Sequence, residues 1–250
     1  MSLSTEIDEQ KMTSIITEFK QLTEKECYSF KLINEFPDIL DDKLGGVPYL
    51  PVGEQHPKDK SGKPMPLLIQ VNLKNILLEN FPNKGILEIF CWQPFDYPAE
   101  SEVRYYDENL EYQKDLPLLK YDQYIIDRPY KIELKKTKDY LPVINYNFND
   151  IFCPLYNKYF NKDVNHYYDI DNIDDMLNNF EHPAGSIGGY PDFTQEDPRT
   201  AEEMKECLVK IDSNLGDLDI GDSGILNVFI HLDDLKKAEF EKSEVYWDCC

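Results

Sequence analysis

Basic residues are scarce in this chain: 26 Lys and Arg stand against 48 Asp and Glu, a formal net charge of −22. A surface so short of cations cannot neutralise phosphate, which argues against nucleic acid and anionic membranes as partners. Long apolar runs are missing too; nothing approaches the ~20 residues that span a bilayer. The N-terminus lacks the basic-then-apolar pattern of a secretory signal, so a cytoplasmic location is expected. Cysteine is sparse and scattered: of Cys27, Cys91, Cys153, Cys207, Cys249 and Cys250, only the last two are neighbours. With no C-x-x-C, reduced thiols are expected rather than a disulfide framework. There is no Walker loop, Rossmann fingerprint or H-E-x-x-H. His56, His166, His182 and His231 show no metal-ligand spacing among themselves or with the cysteines. No cofactor and no metal are expected.

What is present suffices for a globular interior, with 41% hydrophobic and 13% aromatic residues. The chain also echoes itself. Gly85-Ile86-Leu87-Glu88-Ile89-Phe90 returns as Gly224-Ile225-Leu226-Asn227-Val228-Phe229, Gly45-Gly46-Val47-Pro48 as Gly188-Gly189-Tyr190-Pro191, and Ser101-Glu102-Val103 as Ser243-Glu244-Val245. The three pairs keep their order at a nearly constant separation, which reads as an internal duplication. The expected organisation is one domain over 1–250: an N-terminal helix (4–25), a first unit (43–106), an insertion or connection (107–184) and a second unit (185–250). The expected fold class is α+β, internally duplicated, with mostly antiparallel sheets and flanking helices.

Local patterns fill in this frame. Ile15, Phe19 and Leu22, widened by Met12 and Ile16, make the apolar stripe of an amphipathic helix, with Ser4 or Thr5 as cap and Asp8 in the first turn. Residues 44–66 are dense in Pro and Gly and read as a stiff, ordered loop. Strands are expected at 67–71, 85–92, 101–106, 130–134, 208–211 and 224–231, with a last one ending at 250. Short helices are expected at 73–78, 172–180, 201–206 and 233–238.

Three groups of residues invite a chemical reading. Ala184-Gly185-Ser186-Ile187-Gly188 is one residue from a nucleophile elbow, with Asp212, Asp219 or Asp222 and then His231 in hydrolase order. Its flanks, Pro183 and Pro191, do not make the required strand–turn–helix, and the echo explains Gly188-Gly189 as a turn. The acidic stretch 212–222 offers alternating oxygen ligands, yet its glycines stand in the wrong frame for an EF-hand and no glutamate closes it; a solvated turn is the better reading. Cys249-Cys250 has no partner ligands at metal spacing.

The segments Leu44-Gly45-Gly46-Val47-Pro48-Tyr49-Leu50-Pro51, Gly62-Lys63-Pro64-Met65-Pro66-Leu67-Leu68-Ile69-Gln70-Val71-Asn72-Leu73 and Gly85-Ile86-Leu87-Glu88-Ile89-Phe90 resemble the first half of the YwqG family. The second half is similar as well, through Gly188-Gly189-Tyr190-Pro191, Gln195, Gly221-Asp222-Ser223-Gly224-Ile225-Leu226 and Asp233-Asp234-Leu235. His56-Pro57 departs from the family's Trp-Pro. The resemblance implies a bacterial cytoplasmic protein of unknown function, and the neighbourhood of some relatives to toxin systems implies an immunity-type role. The acidic field, the duplicated scaffold and the lack of a catalytic set together point to a non-catalytic binding or interaction protein with a basic protein partner. The alternative is an enzyme or small-ligand binder with a polar site between the two units, carried by Gln70, Gln195, Asp212 and Asp222.

Overall fold

The computed structural model of the chain describes residues 9–92, 100–121, 124–171, 173, 177, 181–200, 203, 205–216, 218 and 220–249. Its strands are β1 (Lys25–Ile33), β2 (Lys43–Leu44), β3 (Leu67–Asn72), β4 (Ile86–Cys91), β5 (Ser101–Tyr106), β6 (Tyr130–Asp139), β7 (Gly185–Gly188), β8 (Lys205–Asp212), β9 (Ile225–His231) and β10 (Glu244–Asp248). All ten belong to one antiparallel sheet, in the order β10-β9-β8-β7-β1-β6-β2-β3-β4-β5. Helices α1 (Glu9–Thr23), α2 (Phe148–Phe160) and α3 (Leu232–Lys237) complete the named α-helical elements.

This architecture overturns the expected α+β fold of duplicated, helix-flanked sheets. The echoed strands β4 and β9 do not head two separate units; they occupy next-to-edge positions at opposite ends of one mainly β structure. The sheet curls until its two edges approach. Tyr105 of β5 lies with its ring centroid 5.0 Å from that of Phe240, just before β10, and Ser101 shares a cavity with residues 243–246. The result is a nearly closed, barrel-like sheet around one apolar cluster that takes Leu44, Ile69, Val71, Leu87 and Ile89 from one arm and Ile187, Val209, Ile211, Leu226 and Val228 from the other. Closure of this kind hides most of the sheet's unpaired backbone edge. Helices α1 and α2 do not form a layer on the sheet. They pack on each other in a second cluster built on Met12, Ile15, Phe19, Phe148 and Phe152.

The stripe on α1 is narrower than its sequence suggests. Met12, Ile15, Phe19 and Thr23 are buried, whereas Leu22 is 62% exposed. The proposed caps Ser4 and Thr5, with Asp8, lie outside the described residues, as do most of 172–180 and of 201–204. Residues 205–206, expected in a helix, open β8 instead, and 73–75 make only a single 3-10 turn.

Two rows of polar side chains cross the sheet. In register, Lys131, Lys43, Gln70, Glu88 and Arg104 face one another across β6, β2, β3, β4 and β5. Ser29, Ser186, Lys210, Asn227 and Tyr246 do so across β1, β7, β8, β9 and β10. The inner members are fully buried, because the loop after each Gly-Gly pair folds over them. Tyr49, in the 45–66 loop, gives its amide to Gln70 (2.9 Å) and to Glu88 (2.7 Å). Burial pushes the Glu88 carboxyl up to about 8, only partly opposed by the Tyr49 amide and the Lys43 charge. Glu88 Oε2 has no hydrogen-bond partner among the described residues. Desolvation likewise pushes the Lys43 ammonium down to about 8, although it donates to the carbonyls of Asp38 (3.0 Å) and Ile39 (2.8 Å).

Candidate functional site: a lysine-lined pocket over a histidine–aspartate pair

The four residues selected from the sequence are not brought together. Gln70 is buried and works as a clamp, giving its amide to the carbonyls of Ile39 (2.7 Å) and Asp41 (3.0 Å) while accepting from Tyr49. Gln195 is exposed and ties the loop after β7 to the chain end, through the carbonyl of Cys249 (2.7 Å) and the carboxylate of Asp248 (3.0 Å). Asp212 closes an Asx-type turn on the amide and side chain of Asn214 (2.7 and 2.8 Å). Asp222 is exposed in the loop between β8 and β9. No hydrogen bond joins any two of them among the described residues.

The other sequence candidates also find structural places. Ser186 lies inside β7, fully buried, with its hydroxyl donated to the Gly188 carbonyl (3.2 Å). A strand interior is not an elbow, and His231 stands exposed at the far end of β9. In the 212–224 loop, Leu215, Leu218 and Ile220 turn into the core, while Asp217 and Asp219 lie outside the described residues, as does Cys250. No cluster of three or more His, Cys, Asp or Glu suited to a metal occurs among the described residues.

A different constellation assembles where β6 ends. Asp139, the last residue of β6, is completely buried in the side chain, and His182, just before β7, keeps 13% of its side chain exposed; the two are joined by a 2.9 Å contact from His182 Nδ1 to Asp139 Oδ1. Asp139 also accepts the amides of Tyr140 (2.9 Å) and Tyr190 (2.9 Å). Burial alone would raise its carboxyl, but the His182 hydrogen bond and the Lys210 charge outweigh it and hold the group below the usual carboxylate range. Asp139 is therefore a carboxylate at neutral pH. An acceptor-only carboxylate requires Nδ1 to carry a proton, which leaves Nε2 as the ring nitrogen that the pair does not use.

Gly189 makes this closeness possible. Its backbone is left-handed (φ +80°), and a β-carbon there would lie 2.7 Å from Asp139 Oδ2 and 3.1 Å from Cys27 Cβ. A side chain of any size would push the Tyr190 amide off the carboxylate.

His182 forms part of the wall of a solvent-open depression of about 840 Å³ that also meets Lys20 of α1, Glu26 and Ser29 of β1, Lys136 and Lys138 of β6, and Glu181. The three lysines are engaged by their surroundings. Lys136 pairs with Glu26 (2.9 Å) and Lys138 with Glu24 (2.8 Å), both half-exposed, and Lys20 lies over the Tyr140 ring at 5.1 Å. Sequence reading missed this site because Asp139 and His182 stand far apart in the chain and match no spacing rule. One signal was available: Lys135-Lys136-Thr137-Lys138-Asp139 is the densest run of cations in an otherwise acidic chain.

No helix among the described residues is long and apolar enough to cross a membrane. No curated protein matches the chain. The family described as a domain of unknown function (DUF1963) matches residues 42–249, from the residue before β2 to the residue after β10. The match covers most of the chain and all the strands except β1, so the protein belongs to the DUF1963 family.

Proposed function

We propose that this protein is a binding protein whose ligand site is the pocket over His182 and Asp139, with a small polar molecule as its occupant. The observation that carries the reading is the His182–Asp139 pair itself. A buried, ionised carboxylate that fixes one ring nitrogen of a largely covered histidine in the wall of an open depression supplies an oriented polar group. Three lysines around it add charge that a polar ligand can use. The resemblance to YwqG proteins and a cytoplasmic location belong to this reading. Following the His182 imidazole signals by NMR, during titration with a panel of small anions, cations and neutral polyols, tests it. Movement of His182 with one class, and not of His56 or His231, is expected; no movement with any class removes the reading.

A second reading rests on the net charge of −22. An acidic exterior steers basic proteins at low salt, consistent with an immunity-like, non-catalytic neutraliser of a basic partner. Pull-down at low and moderate salt separates it from the first: recovery of no basic protein in either condition counts against it.

A further inference from the structure

We propose that a second cavity, at the other end of β6, binds a small uncharged molecule with an aromatic-sized apolar body and one hydrogen-bond acceptor oxygen. The site is separate from the His182 pocket and does not depend on it. Its volume is about 430 Å³, and its walls include Phe36, Leu67, Leu118, Tyr121, Tyr124 and Ile126. It lies where β6 begins, beside Pro129 and the left-handed turn at Gly45-Gly46. Asp139 closes the same ten-residue strand, about 30 Å away at the usual rise. A cavity of this size with mainly apolar walls and few polar groups is what a small ligand fills. Two large apolar side chains of the lining stay in solvent, Phe36 at 67% and Leu118 at 39% exposure, and an occupant that covers them gains their burial.

Tyr124 supplies the polar contact. The residue as a whole is half-buried, yet its hydroxyl is shut off from solvent and has no hydrogen-bond partner among the described residues. The groups that act on it are Cys91 and Tyr121. Tyr121 lines the cavity, and so does Pro66, whose carbonyl accepts the Cys91 amide (3.1 Å). The hydroxyl therefore sits at the inner end of the cavity. Tyr121 has already given its own hydroxyl to the Met65 carbonyl (3.1 Å). A buried donor without an acceptor is destabilising, and a ketone or ether oxygen on a ligand is the partner Tyr124 lacks. Charge does not recommend an ion. The charged lining residues, Lys120, Asp127 and Arg128, are exposed at the rim. Arg128 is taken up by Asn34 and by the Tyr130 ring. With Glu35 and Asp122, the chain neighbours of Phe36 and Tyr121, two cations meet three carboxylates. Between such walls an unpaired ion would be costly to bury.

The test is NMR of the whole protein during titration with acetophenone, ethylbenzene, benzoate and benzylamine, which share one ring and differ in the oxygen and the charge. Acetophenone should move the Gly45 and Gly46 amide signals, leave His182 unmoved, and bind more tightly than either charged probe. It should bind about threefold to tenfold more tightly than ethylbenzene, the worth of one hydrogen bond. Tyr124→Phe should fold normally by circular dichroism, because the hydroxyl has no partner to lose, and should bring acetophenone down to the affinity of ethylbenzene. Phe36→Ala, at an exposed position, should weaken both. An advantage of acetophenone that survives in Tyr124→Phe overturns the assigned contact, and tighter binding of benzoate or benzylamine overturns the uncharged ligand. If no probe moves the Gly45 and Gly46 signals, the cavity is not a ligand site. Self-association that Phe36→Ala abolishes, with no probe bound, would give this face to a second copy of the chain and overturn the proposal.

Discussion

Replacing Glu88 by Gln offers a quantitative test of the buried polar row. The carboxyl is raised from 4.5 to about 8 in the folded protein. A raised acid contributes stability that is fully present below the unfolded value, near pH 4.5, and is lost as pH climbs through the folded value, near 8. At about 1.4 kcal/mol per pKa unit, the loss between pH 5 and pH 7 is about 2–3 kcal/mol, and it approaches about 5 kcal/mol above pH 8. Glutamine does not titrate and keeps an oxygen for the Tyr49 amide. Its amide nitrogen takes the place of the unpartnered Oε2, a cost of about 1–3 kcal/mol that is the same at every pH. Asp42, pushed up to about 6 by burial, titrates in both proteins and cancels from the difference. Lys43, pushed down to about 8, stays protonated across most of this window. Glu88→Gln should therefore gain on the parent by about 2–3 kcal/mol between pH 5 and pH 7, close to 1 M in urea midpoint for an m-value of about 2–3 kcal/mol/M. Urea melts followed by circular dichroism at both pH values measure it. An equal difference at pH 5 and pH 7 would show that Glu88 is ionised in the fold and refute the reasoning.

Gly189→Ala should lower stability by about 1–3 kcal/mol, from the left-handed backbone and the clash with Asp139, and should shift the His182 NMR signals; an unchanged melt denies the close approach. Asp139→Asn removes a carboxylate whose depressed value makes its contribution present above the usual carboxylate range and lost as pH falls through the folded value. The variant should lose about 3–5 kcal/mol at pH 7, and less at acid pH, in denaturant melts. The Cys27, Cys91 and Cys207 thiols, buried and pushed up by desolvation to about 12, should resist alkylation at pH 8 until urea unfolds the chain, as mass spectrometry can follow. Phe19→Ala, in the aromatic cluster where its ring centroid lies 5.1 Å from that of Phe148, should cost about 3–5 kcal/mol, seen as a lowered melting temperature.

Strands whose alternation or apolar run was uninterrupted were legible in the sequence. Those now labelled β3, β4, β5, β8 and β9 all announce themselves as apolar or alternating stretches between turns. Strand β1 did not, because Lys25, Glu26 and Lys31 break its pattern; charges tolerated on its half-exposed side hid a strand at the centre of the sheet. Helix α2 was hidden by Pro154 at its middle, a residue that normally argues against a helix. The two-residue strand β2 is too short to show any period. The echo read as two units could not reveal that one sheet holds both, since strand pairing across β1 and β6 leaves no mark on local composition. In the buried polar row, Glu88 is the one charge in an apolar strand. His182 and Asp139 meet only through the fold, where Gly189 lets the chain come close.

The central position of β1 has a consequence for how the protein is made. Residues 25–33 leave the ribosome before either neighbour of this strand, since β6 and β7 are encoded roughly a hundred residues or more downstream. At about 5–20 residues per second, that separation is a wait of about 5–20 s. The stretches β3-β4-β5 and β7-β8-β9-β10 pair with sequence neighbours and need not wait. The closing of β1 between β6 and β7 carries the long-range loop entropy and is the natural slow step. Until then an interrupted, charge-studded strand is a safe one to leave unpaired: the residues that hide β1 from a reader of the sequence also keep it from sticking to other nascent chains.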